Sequence, residues 1–147
     1  MDPTKPTRPE ALSYDPTVHG LPPEVGDAIT ALAEAELAAG RLETARALLE
    51  GLVVTSPEDP EGWALLSRTH RRLGQPLAAR FCAEVALKLD PASGEAGLAR
   101  AESLLALPDA RDEGARALEA LRAHPTAGPR ASALLGALSG AGSGHAG

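Results

Sequence analysis

Aromatic residues are almost missing from this chain of 147: Tyr14, Trp63 and Phe81 are its only rings of their kinds, 2% of the sequence. A core without rings has to be built from aliphatic side chains, so its elements must pack close together. Cysteine occurs once, as Cys82, which excludes an internal disulfide and suits a reducing compartment. Beside Ala79 and Ala83 it reads as a packing residue rather than a nucleophile. No stretch approaches the ~20 apolar residues that cross a bilayer, and the start, Met1 to Pro9, lacks the apolar run of a secretion signal. The expectation is a cytoplasmic protein with no membrane insertion. Positive charge is also in short supply: 14 Lys and Arg stand against 20 Asp and Glu, a net charge of −6. With an isoelectric point near 5.2, a nucleic-acid backbone is not the expected partner. His19, His70, His124 and His145 show no metal-ligand spacing, and no glycine-rich phosphate loop occurs. No cofactor, metal or catalytic residue is expected, and the chain reads as no enzyme.

What the chain has instead is alanine and a register. Thirty alanines in a 44% hydrophobic composition favour helices over sheets. Pro57, Pro91 and Pro125 stand 34 residues apart, and so do Ala33, Ser67 and Ala101. A fixed period of that length means one helical hairpin built three times. Counting from Gly26, Pro60 and Gly94, the fourth position holds Ile29, Trp63 and Gly97, the seventh Leu32, Leu66 and Arg100, and the eighth is always small. A turn residue follows at the fifteenth (Gly40, Gly74, Pro108), then Ala45 and Ala79 at the twentieth. Asp59 and Ser93 supply capping acceptors before Pro60 and Gly94, while Gly40 and Gly74 stop the first helices of their units. His124 precedes Pro125 at a helix end, where a cation is favourable.

The third unit departs most. Gly97 stands where a large apolar residue belongs, and Arg100 replaces a leucine. Reading its second helix one residue later places Gly114, Leu118 and Leu121 on the packing positions and leaves Glu113 in water. A one-residue lengthening of the turn near Pro108 produces that shift.

This pattern resembles the tetratricopeptide repeat, in which small residues at positions eight and twenty let two antiparallel helices approach while large apolar residues fill the gaps between. The stretch from Trp63 to Pro91 matches best. The resemblance implies an all-α fold, a TPR-type α-solenoid of three helix-turn-helix repeats plus a C-terminal capping helix. Residues 1–22 are proline-rich and aperiodic and read as a disordered arm. The repeat domain is expected at 23–139, with repeats at about 26–59, 60–93 and 94–127. The capping helix, at about 129–138, carries Leu134, Leu135 and Leu138, and 140–147 reads as a flexible Gly/Ser tail.

In that family the first helix of every unit lines a concave groove, with positions two, five, six, nine, twelve and thirteen facing into it. Carried onto this chain, the resemblance implies a peptide-binding groove of Thr30, Glu34 and Leu37 in unit one, Ala64, Leu65, Arg68, Arg71 and Arg72 in unit two, and Leu98, Glu102 and Leu105 in unit three. The asparagines and lysines with which some repeat proteins grip the carboxy terminus of heat-shock chaperones are absent from these positions. An extended peptide with apolar anchors at Leu37, Leu65, Leu98 and Leu105 fits better. Arg68, Arg71 and Arg72 either hold a carboxylate or backbone carbonyls between the anchors, or form a solvated face paired with Glu34 and Glu102. Both readings stay open at the level of sequence.

A narrower resemblance comes from Ala99-Arg-Ala-Glu-Ser-Leu-Leu105, similar to an Ala-Ala-Glu-Cys-Leu-Leu stretch at that place in the class II chaperones of bacterial type III secretion, and from Ala45 to Leu52, which fits the corresponding second helix of unit one. The likeness covers residues 24 to about 138. It implies a protein or peptide client, held as by a chaperone or adaptor of a secretion or assembly system, and a surface that permits a homodimer. The alternative is a scaffold subunit acting through its convex face or its arm; a regulatory subunit of an enzyme is the remote one.

Overall fold

Proline, side-chain caps and two glycines set the helix boundaries of this chain. The computed structural model describes the backbone of residues 21–146 and the side chains of 21–141, so the expected arm at 1–22 lies outside the described residues except for its last two. Among the described residues seven α-helices follow one another: α1 (Pro23–Ala38), α2 (Leu42–Thr55), α3 (Pro60–Arg72), α4 (Pro76–Leu89), α5 (Gly94–Leu105), α6 (Arg111–Leu121) and α7 (Gly128–Ala146). Asp59 caps α3 by accepting from the Glu61 amide, and Ser93 caps α5 by accepting from the Ala96 amide, each satisfying a donor the helix leaves free.

Gly40 and Gly74 have φ of 79° and 78°, the left-handed conformation that lets the chain turn back at once. Their own amides donate to the carbonyls of Leu37 and Arg71, and the next amides, of Arg41 and Gln75, reach back to Glu36 and His70. These are the paired bonds of a helix-ending Schellman turn. Unit three has Pro108 at this place, which cannot adopt positive φ. Its connection therefore opens into a 3-10 turn (Pro108–Ala110), and α6 begins one residue later than α2 and α4 do in their units. The expected shift is present: Gly114 and Leu118 are buried, Leu121 packs against their cluster, and Glu113 faces outward to pair with Arg100 at 2.7 Å.

Each helix packs on the next, and α1 also packs on α3 and α3 on α5, so the three first helices lie side by side along one face. The seam of each hairpin is made of small residues. Ala33 and Ala45, Ser67 and Ala79, and Ala101 are all completely buried, and Gly114 stands opposite Ala101, with the Ala101 carbonyl beside its α-carbon. Leucines fill the space between: Leu49, Leu52, Leu65, Leu104 and Leu118 have no more than 1% of their surface exposed. Where Gly97 leaves a gap in α5, the Leu121 side chain of α6 moves in. Arg100 does not enter the core; it turns outward between Glu84 and Glu113.

α7 covers the open end of unit three. Ala131 is buried with Ala101 and Leu118, and Leu134, Leu135 and Leu138 pack against them. The helix does not stop near residue 138 but continues to Ala146, through a stretch expected to be a flexible tail. Glycine and serine weaken a helix without terminating it, and no proline follows Pro129 to end this one.

Candidate peptide-binding groove

The face shared by α1, α3 and α5 contains two cavities of opposite charge. The larger, about 490 Å³, lies where α3 and α5 meet the start of α7, and is lined by Arg68, Arg71, Glu95, Leu98, Glu102 and Arg130 among others. Successive turns of α3 and α5 put these side chains on one stripe, since residues three and four apart share a helix face. Arg68 reaches Glu95 at 3.4 Å and Arg71 reaches Glu102 at 3.6 Å. Arg130 comes from α7 and meets the other oxygen of Glu102 at 3.3 Å. The smaller cavity, about 290 Å³, lies toward α1 and is lined by Asp27, Thr30, Ala31, Glu34 and Glu61. Partial burial, reinforced by the carboxylates of Glu95, Asp59, Glu34 and Asp27, holds Glu61 above the ordinary carboxylate range.

The residues expected to line a groove do not stay together. Arg68, Arg71, Leu98 and Glu102 come together around the larger cavity, and Thr30 and Glu34 line the smaller. Leu37, Ala64 and Leu65 are instead buried, at 2%, 1% and 0% exposure. The central helix α3 is flanked by α1 and α5, so its sixth position faces neighbours on both sides and packs with Leu37, Leu49 and Leu52. They are core residues, not anchors for a ligand. Leu105 is half-buried and leans onto α6 at Gly114, away from the cavities. Arg72 donates to the Leu37 carbonyl at 2.6 Å and so closes the end of α1. Glu34 pairs with no arginine among the described residues; Glu95 and Glu102 take the role expected of Glu34 and Glu102.

Arg130 was not among the residues singled out in sequence, whereas Glu95 stands at a position expected to face the groove. Glu95 occupies position two of its unit; Arg130 lies beyond the last repeat, where no period predicts its direction. His124 also differs from expectation. Its Nδ1 accepts the amides of Thr126 and Ala127, so Nε2 carries the proton and donates to the Ala92 carbonyl at 2.9 Å. The ring brackets two turns by hydrogen bonds at both nitrogens. His70 Nδ1 shares a hydrogen bond with the Gln75 side chain.

Cys82 is 4% exposed, and burial, with Glu50 adding to it, pushes its thiol up to about 11. A thiol held protonated in an apolar setting is chemically quiet. Among the described residues no three His, Cys, Asp or Glu side chains converge as metal ligands, and no helix is long and apolar enough to cross a membrane. Outside both cavities, Leu77 and Phe81 of α4 are 70% and 62% exposed. The Phe81 ring meets Trp63 edge-on at 6.4 Å, and the Trp63 indole donates to the Pro57 carbonyl at 2.7 Å.

The tetratricopeptide repeat family model matches residues 26–69. Among curated proteins none matches the chain. Solved structures do. PcrH from Pseudomonas aeruginosa is 23% identical, with 83% of this chain and 97% of that one aligned at a TM-score of 0.68. PcrH in complex with the chaperone binding region of PopD aligns with 82% of this chain and 96% of that one, again at 23% identity and a TM-score of 0.68. The type III secretion translocator chaperone SycD of Yersinia enterocolitica is 21% identical over 82% of this chain and 94% of its own, with a TM-score of 0.67. The chain thus has the tetratricopeptide-repeat fold, an all-α solenoid of three hairpins and a capping helix like that of the type III secretion translocator chaperones.

Proposed function

We propose that this protein is a binding module without catalytic activity, which holds an extended or helical apolar segment of a client protein in the groove of α1, α3 and α5. Its role is that of a chaperone or adaptor in a bacterial secretion or assembly system. The observation that carries this reading is the open cavity of about 490 Å³ between α3, α5 and α7, whose wall combines aliphatic Leu98 and Ala99 with paired charges. Apolar walls with a few fixed polar groups are the usual make-up of a recognition site. The fold likeness supports the same direction, since PcrH was solved with the chaperone binding region of PopD. A second reading, a scaffold acting through its outer surface, is favoured by the exposed pair Leu77 and Phe81.

Photo-crosslinking in the native cell separates the two. A photoreactive residue at Leu98 is expected to capture a defined client, and one at Phe81 is not. Leu98→Glu in the unlabelled protein is expected to abolish co-purification of that client while helical content stays unchanged. Adducts only from the Phe81 position, with capture unaffected by Leu98→Glu, establish the scaffold reading instead.

A further inference from the structure

We propose that the cavity between α3, α5 and α7 is a carboxylate-binding subsite, which takes an acidic side chain or the free carboxy terminus of an apolar peptide segment. The inference rests on the reading of this face as a peptide groove and adds a chemical requirement to it. Three guanidinium groups, of Arg68, Arg71 and Arg130, converge there on only two carboxylates, Glu95 and Glu102. Their separations of 3.4, 3.6 and 3.3 Å are long; a strong charge-assisted N–H to O contact closes to about 2.7–2.9 Å. Arg68 and Arg130 thus keep only long hydrogen bonds to these carboxylates, and the Arg71 Nε keeps an ion pair beyond hydrogen-bond distance.

Arg71 carries the argument furthest. Its Nε is buried and, with the Glu102 oxygen 3.6 Å away, makes no hydrogen bond among the described residues. A buried donor on a charged group is costly to leave unmade, and the group that removes the cost is an anionic oxygen entering beside it. Glu102 does not meet this need by moving, because it also holds Arg130, and approaching one arginine means leaving the other. A third carboxylate balances three cations with three anions and lets the forked guanidinium be used in two directions. Leu98, Ala99 and Ala127 line the same cavity, so the segment that brings the carboxylate has aliphatic neighbours.

The opposite end of the face opposes the same ligand. Asp27, Glu34 and Glu61 crowd the cavity toward α1, and an acidic group placed there meets like charge at close range. A peptide lying along the groove is thereby set in one register, with its carboxylate at the α7 end.

Three short peptides test this on the full-length protein: acetyl-Leu-Ala-Glu-Leu-amide, the same peptide with Gln for Glu, and that Gln peptide with a free carboxy terminus. Binding is followed by titration and by the ¹⁵N resonance of the Arg71 Nε–H group. A carboxylate-bearing peptide is expected to bind about tenfold more tightly than the neutral one, with the Arg71 resonance moving only for the acid forms and the gap narrowing with salt. Arg71→Gln is expected to bring all three peptides to one affinity, and Arg71→Lys to leave part of the difference. A shift with the Glu peptide alone names a side chain as the source, and a shift with the free terminus alone names the chain end. Equal affinity for all three on the unaltered protein overturns the carboxylate subsite and leaves the apolar groove standing. Absence of binding by any of them overturns both.

Discussion

The Ser67 hydroxyl donates to the Ala79 carbonyl at 2.6 Å, joining the eighth position of unit two to its twentieth across a seam with no exposed surface at either residue. The bond forms because both residues are small enough for α3 and α4 to touch along their backbones. Ser67→Ala keeps that approach and loses one hydrogen bond, for a cost of about 1 kcal/mol. Ser67→Leu forces the helices apart and is expected to cost more, about 1–3 kcal/mol. Urea unfolding followed by Trp63 fluorescence ranks the two. An equal loss from both means that helix spacing is not set at this seam.

That contact was readable from the sequence because it repeats: the eighth position is small in every unit, the twentieth is alanine in units one and two, and the shifted register of unit three puts Gly114 there. The late start of α6 was readable for the same reason, since only the shifted register buries Leu118 and leaves Glu113 outside. What the period does not carry is what a helix meets on its flanks. Leu65 occupies a groove position but is buried because α3 has a neighbour on each side. Arg130 reaches the larger cavity from α7, which belongs to no repeat and whose direction depends on where its leucines find unit three. His124 looked like a cation at a helix end, yet the tight turn after it points two amides at its ring.

Glu61 stands among four other carboxylates, and its native affinity for a proton is raised by partial burial first and by their charge second. A carboxyl whose native value lies above that of the unfolded chain is ionised more easily when unfolded, so its charge weakens the fold at neutral pH. As pH falls below the usual carboxylate value, about 4.3, both states become protonated and the penalty disappears. Glu61→Gln is therefore expected to raise the melting temperature at pH 7 and to leave it unchanged near pH 3.5. Added salt at pH 7 shrinks the gain by screening the repulsion. Identical melting at pH 7 contradicts this account of the acidic end.

Cys82 gives a dependence at the other end of the scale. Its native thiol stays protonated up to about 11, whereas an unfolded thiol ionises near ~8.5. Between these values the unfolded chain binds fewer protons, so stability falls as pH rises, by at most about 1.4 kcal/mol per unit. Cys82→Ala is expected to flatten that decline, whatever it does to stability at pH 7. Ellman's reagent at pH 8 provides a direct check: the thiol reacts after unfolding in urea and is protected before it. Rapid labelling of the folded protein is incompatible with its burial between α4 and the α2–α3 core.

Two glycines in unit three predict opposite outcomes for the same substitution. A methyl group on Gly97 meets the Leu121 Cδ2 at 3.0 Å, the far end of a half-buried side chain that can turn aside. The helix gains about 0.5–1 kcal/mol when alanine replaces an interior glycine, so Gly97→Ala is expected to stabilise. At Gly114 the Leu105 side chain is joined by two backbone atoms, the Leu105 nitrogen at 3.0 Å and the Ala101 oxygen at 3.1 Å. Neither can move unless α5 and α6 separate, and Gly114→Ala is expected to destabilise by about 1–3 kcal/mol despite the same propensity gain. Thermal unfolding of the two variants, side by side, reads the helix spacing in this unit. If both gain, α5 and α6 are farther apart than the shifted register requires, and α6 starts at the position the unshifted repeat would give it.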